Sequence, residues 1–279
     1  MFMTIQTTSC LHKYNKLLGG NMNFLRFTVL ALAFITLTGC ATSKNSQVNR
    51  DVVKNEKQDQ NLPKKFILLP IDMTVSEISA GGIVEEVPDW SMTAKSHVDT
   101  ALAKFYQEEV NMELLPTPEL TNSERELVEE HVALYDVSVG TALALKYRGG
   151  SAWKEKNERF NYTLGSGLSF LKQKTDADAA LIVIGLDQIS SAERKAAIVA
   201  AALFGVGIPG GISFISAGVV DINTGDIVWF NHNFAVANRD LREKEDAVEM
   251  TYEMLAEYPV AKTIKAKLEA ADKVTEEEF

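Results

Sequence analysis

Ala179-Ala-Leu-Ile-Val-Ile-Gly-Leu186 is apolar at every position. Successive side chains of a strand point to opposite faces, so an unbroken apolar run needs cover on both sides. The stretch therefore predicts a central strand in a sheet with helices on each face. Downstream, Ile212–Ile222 and Ile227–Val236 flank Asn223-Thr224-Gly225-Asp226, which reads as a hairpin turn with Gly225 at positive φ. Asp240–Leu255 follows with Val248, Tyr252 and Leu255 at helical spacing. Pro259 then breaks the pattern before a short charged helix to Lys273 and an acidic tail, 274–279.

Upstream, Lys65-Phe-Ile-Leu-Leu-Pro70 predicts a buried strand stopped by proline. After Gly81-Gly82 and Pro88, Ser91–Glu109 carries Ala94, Val98, Leu102, Phe105 and Tyr106 on one helical face. Met112–Leu115 is a second short strand. Thr121-Asn-Ser-Glu124 is a capping box opening a helix with Leu127, Val128, His131 and Leu134 inward. A third helix is expected over Thr163–Lys174, with Leu164, Leu168 and Leu171 inward. The resulting order, β-α-β-α-α-β-insert-β-β-α, predicts an α/β fold over residues 63–273, with α+β as the variant. A single mixed sheet is covered by helices and finished by a hairpin and a helix.

The N-terminus has a different character. Met22-Asn-Phe-Leu-Arg26 is short and basic, Phe27–Leu37 is uncharged and apolar, and Leu37-Thr38-Gly39-Cys40 closes the run. These are the parts of a signal peptide, and the run is shorter than the roughly 20 residues a membrane span needs. The last four residues resemble the lipobox of bacterial lipoproteins, which implies cleavage between Gly39 and Cys40 and lipid on the Cys40 thiol. Residues 22–39 are thus expected to be removed. Residues 1–21 read as an upstream extension ahead of a start at Met22, with Met1 and Met3 still open as starts. Ala41–Leu62 is almost all polar and is expected to be a flexible tether. Ala41 stands where aspartate resembles the inner-membrane retention signal. The expected location is therefore the outer membrane, facing the periplasm.

Cysteine and charge bound the rest. Cys10 falls in the extension and Cys40 is consumed by lipid, so the mature chain has no disulfide and must be held by its core. Residues 1–40 hold three basic side chains (Lys13, Lys16, Arg26) and no acidic one. The mature chain therefore carries −13 where the whole carries −10. Such a protein repels phosphate backbones, and a nucleic-acid partner is not expected.

Asp176-Ala-Asp-Ala-Ala-Leu-Ile-Val-Ile-Gly185 and Val220-Asp-Ile-Asn-Thr-Gly225-Asp-Ile-Val-Trp229 carry a resemblance. With the strand ending at Pro70, they are similar to the periplasmic lipoprotein domain of the TolB N-terminal and curli-secretion (CsgG-like) type, over about 66–258. The resemblance implies a non-enzymatic component of an envelope assembly, with protein partners or self-association and no catalytic residues to transfer.

Candidate sites are few. Ile198–Val220 contains no charge, and Arg194 and Lys195 precede it. Gly205, Gly207, Pro209, Gly210 and Gly211 would break a spanning helix. The reading is a helix over Ala192–Phe204, a loop over Gly205–Gly211 and a strand from Ile212. Burial of this insert in the core is the favoured expectation. The alternative is an assembly or membrane-contacting surface built from Ile198, Leu203, Phe204 and Ile208. Gly205, Gly207 and Gly210 spell Gly-x-Gly-x-x-Gly, but a dinucleotide loop needs strand then helix, and here the order is reversed. His12, His97, His131 and His232 lack metal-ligand spacing. His97 and His131 read as surface or half-buried helix residues, and His232 as lying along a sheet face. No cofactor, metal or catalytic group is expected. An enzyme or small-ligand binder with an unseen site is the alternative, and Asp72, after the first strand, is its only hint.

Overall fold

The computed structural model describes residues 46–49, 62–148, 155, 160–236 and 239–277. The expectations for the extension, the signal peptide, Gly39 and Cys40 lie outside these residues. In chain order the strands are β1 (Gln47–Val48), β2 (Lys65–Leu68), β3 (Asp72–Ile78), β4 (Val84–Glu86), β5 (Glu113–Leu115), β6 (Ala179–Ser190), β7 (Ile212–Asp221) and β8 (Ile227–Val236). The α-helices are α1 (Pro88–Glu108), α2 (Asn122–Arg148), α3 (Ala192–Leu203), α4 (Lys244–Ala256) and α5 (Lys262–Glu277), with a 3-10 helix at Ser166–Gln173.

All eight strands form one mixed sheet, and the chain has an α/β fold. β6 is its centre, parallel to β2 and β3 on one side and antiparallel to β7 on the other. Its side chains alternate between two cores. Ala179, Leu181 and Val183 join α1, α4 and α5 on one face, while Ala180, Ile182 and Ile184 join α2 and the 3-10 helix on the other. The unbroken apolar run is satisfied because helices cover both faces.

β2 and β3 lie end to end along β6. Phe66 pairs with Ala179 and Leu68 with Leu181, then Asp72 pairs with Ile184, so one extra residue is accommodated around Pro70. Proline was expected to stop the strand. It only interrupts it, because a residue without an N–H is tolerated where the ladder is already broken. β5 flanks the first half of this composite strand and β4 the second.

The capping box forms as expected. Thr121 N–H donates to Glu124 Oε2 at 2.7 Å, and Glu124 N–H to Thr121 Oγ1 at 3.3 Å. Val128, Val132, Tyr135 and Val139 are the buried stripe of α2, whereas Leu134, expected inward, is exposed. Leu134 falls off this helical stripe and so faces outward. Tyr135 reaches the sheet where Gly218 leaves room: a Cβ at 218 would meet its ring, and Tyr135 Oη lies 3.1 Å from Ser216 Oγ.

Other boundaries shift. Leu168 and Leu171 are buried as expected, but on a 3-10 helix that starts after Gly165. α4 begins at Lys244 rather than Asp240, because Asp240 is paired with Arg242 and Leu241 N–H is taken by Asp187 of β6. α5 runs on to Glu277, past the Lys273 end expected of the charged helix. The β7–β8 turn forms as read, with Gly225 at φ 75° and its N–H donating to Asp221 O at 2.8 Å.

One correction concerns the tether. Residues 46–49, expected to be unstructured, dock on the open edge of β8. Gln47 pairs with Phe230 and Val48 with Trp229, the Trp229 indole N–H donates to Ser46 Oγ at 2.8 Å, and Asn49 is buried. Backbone hydrogen bonds to an exposed edge need no apolar side chains, so composition does not reveal them.

Candidate functional site

The sheet has two unlike ends. At the β7–β8 turn stand Lys65, Glu113, Asp178, Asp221 and Asp226, all polar. At the other end β3 and β6 finish, β7 begins at Ile212 and β8 stops at Val236, its partner. From there α3 leaves, capped by Ser191, whose Oγ accepts from Arg194 N–H at 3.2 Å. Residues 196–211 carry no charge.

This insert was expected in the core, and that expectation is corrected. α3 buries no side chain; Leu203 is 82% exposed, Phe204 84% and Val206 54%, with Ile198 and Ile208 half-buried. The helix begins beyond the last β6 residues that the two cores cover. Its many alanines give it little with which to fill a groove. Nor is it a span: no described helix is long and apolar enough to cross a membrane.

The tip is nonetheless held in place. Arg194 donates from Nη2 to Pro209 O at 2.9 Å and from Nη1 to Ser79 O at 3.5 Å. One guanidinium thus ties the returning loop to the β3–β4 turn, where Ile83 is 63% exposed. A cation beside an uncharged run was legible in the sequence, but not that it would clamp two loops.

Behind this end lies a buried polar knot that the sequence did not announce. Asp187 lies on the same face of β6 as Leu181 and Val183, and its Oδ2 accepts from Leu241 N–H at 2.7 Å. Its Oδ1 lies 2.8 Å from Ser213 Oγ, which is also 2.9 Å from Arg239 O. Burial pushes the Asp187 carboxyl up from its ordinary value, against the two hydrogen bonds. Around it Arg242 pairs with Asp240 at 2.7 Å and stacks over the Trp90 ring at 4.0 Å. Arg239 is bound to Asp246 and Glu249. The knot fastens 239–242 to the sheet; Asp187, Ser213 and Leu241 at its centre are shut away from solvent.

His131 is buried rather than on the helix surface or half-buried, and His232 is buried as well. His131 Nδ1 lies 2.7 Å from Leu127 O, and its ring occupies the space left by Gly167. His232 does lie along a sheet face, stacked on Phe230 and near Phe214 and Tyr147. Burial, helped by Lys146, lowers its pKa to about 4. His97 is half-buried, as read. Among the described residues no group of His, Cys, Asp or Glu could hold a metal. Asp72 is exposed and opens β3. A cleft of about 500 Å³ lies near it, at the notch between β5 and β4, lined by Pro70, Met92, Lys95, Asp99 and Thr117 among others.

No protein-family model matches this chain, and no curated protein matches it. Solved structures similar to it include a PelC dodecamer from Paraburkholderia phytofirmans, at 10% identity and TM-score 0.31, covering 78% of this chain and 96% of that one. Another is the lipoprotein GNA1162 from Neisseria meningitidis, at 14% identity and TM-score 0.22, covering 63% and 86%. Likenesses at these scores carry no argument about function.

Proposed function

We propose that the protein is a lipid-anchored component of the bacterial cell envelope that works by binding and assembly, not by catalysis. The observation that carries this reading is Leu37-Thr38-Gly39-Cys40 behind the apolar run Phe27–Leu37. Ala41 after the cysteine favours the outer membrane, facing the periplasm. The exposed, uncharged tip of α3 supports a contact function, since large apolar side chains gathered on a monomer's surface mark interaction sites. A net charge of −10 over the whole chain argues against nucleic acid as the partner.

Cys40→Ser tests the anchor. The wild type incorporates radiolabelled palmitate and floats with membranes, whereas the variant takes up none and keeps residues 22–39. Equal labelling of the two would overturn the proposal. In density-gradient fractionation the protein travels with outer-membrane markers; inner-membrane recovery would reject that placement.

A small-ligand binder or enzyme is the second reading, and the cleft beside Pro70 is the observation in its favour. It lies past the carboxyl end of β2, where open α/β sheets hold ligands.

A further inference from the structure

Three features meet at one end of the sheet. The first is the chain's direction. β1 is antiparallel to β8, with Gln47 opposite Phe230 and Val48 opposite Trp229, so the chain enters β1 from the Val236 side. Cys40 lies six residues before Ser46, a reach of at most roughly 20 Å. The rest of β8, from Asn231 to Val236, is about 17 Å long. Cys40 is therefore within reach of that end.

The second feature is the tip itself. Leu203, Phe204 and Val206 are exposed there, with Ile83 on the neighbouring turn, and Arg194 clamps the two loops together. The third is the contrast along the sheet. The opposite end, about 30 Å away along β7, is polar and charged.

We infer that Leu203, Phe204 and Val206 dip into the membrane leaflet that holds the acyl chains of Cys40. The domain then stands on the bilayer with the Ile212/Val236 end of its sheet down. This rests on the lipid anchor proposed above. Acyl chains alone fix a distance and leave orientation free. An apolar tip within reach of the anchor fixes the orientation as well, the way two weak membrane signals act together. A lipid occupant is favoured over a second copy because the tether delivers the tip to a bilayer whatever the protein concentration.

The test uses the full chain, processed and lipidated, in vesicles of phosphatidylethanolamine and phosphatidylglycerol. With Cys40 acylated the mature chain has no free thiol. Phe204→Cys, Leu203→Cys and, at the far turn, Asn223→Cys can therefore each carry one polarity-sensitive dye. Doxyl-labelled phospholipids serve as quenchers. At 203 and 204 the emission shifts to the blue and is quenched several-fold more than at 223. Equal quenching at all three sites on vesicle-bound protein overturns the inference. So does a blue shift at 203 and 204 without quenching, which means a second copy covers the tip. Protein that does not float and carries no acyl mass on Cys40 removes the anchor itself, and the inference falls with it by a separate readout.

Discussion

Asp187 and His232 are buried ionisable side chains whose pKa values move in directions that make opposite pH predictions. The Asp187 carboxyl is raised by burial. The folded state therefore holds its proton where the unfolded chain has lost it, and this contribution to stability declines as pH rises through the folded pKa. Asp187→Asn keeps an acceptor for Leu241 N–H and a donor for Ser213, and cannot ionise. Its unfolding midpoint in urea, relative to wild type, is expected to be higher at pH 8 than at pH 4; an equal difference at both would refute this. His232 is lowered to about 4. The unfolded histidine takes up a proton below about 6.5 while the folded one does not, so stability falls as pH drops from about 6.5 to 4. His232→Phe should flatten that decline in thermal melts, and an unchanged acid limb would show that other groups carry it. Sequence placed His232 on a sheet face by its alternation with Phe230 and Phe234. It gave no hint of Asp187, since a lone aspartate in a strand reads as solvent-facing until its partners at 213 and 241 are brought up by the fold.

Two helix starts show how far local pattern reaches. The Thr121–Glu124 box was readable because both partners lie three residues apart. The start of α5 is capped from 154 residues away: Glu109 Oε2 accepts from Thr263 N–H at 2.9 Å and Ile264 N–H at 3.1 Å, with the carboxylate buried. Spacing cannot show such a cap. Both substitutions remove helix-terminal bonds, but only one strands buried donors. Glu109→Ala is expected to cost about 2–3 kcal/mol and Thr121→Ala about 1 kcal/mol in urea unfolding. The reverse order would contradict the assignment. Strands were legible where they were long and apolar, as β6 to β8 are. β3 and β4 were missed because β3 follows a proline that reads as a stop and β4 is three residues with no buried side chain. In β3, Ser76 is buried despite its hydroxyl, paired across the ladder with Glu86.

At the scale of the molecule, the insert between β6 and β7 divides the two layers' core from a surface element. Because Phe204 projects into solvent, Phe204→Asp should leave the thermal midpoint within about 2 °C of wild type, as surface substitutions do. A cooperative loss of structure would instead restore the buried reading. The fold class was evident from one apolar strand; the exposure of the insert was not, because an uncharged stretch looks the same whether protein or lipid covers it. The docking of residues 46–49 on β8 has a consequence in time. Its two partners stand about 180 positions apart in the chain, so this contact forms only after the last strand has emerged and paired. Until then β8 offers a bare row of N–H and C=O groups, the template on which sheets join edge to edge. Residues 46–49 thus act as a late-closing latch. A version starting at residue 50 is expected to self-associate during refolding at concentrations where one starting at residue 41 does not, as light scattering would record.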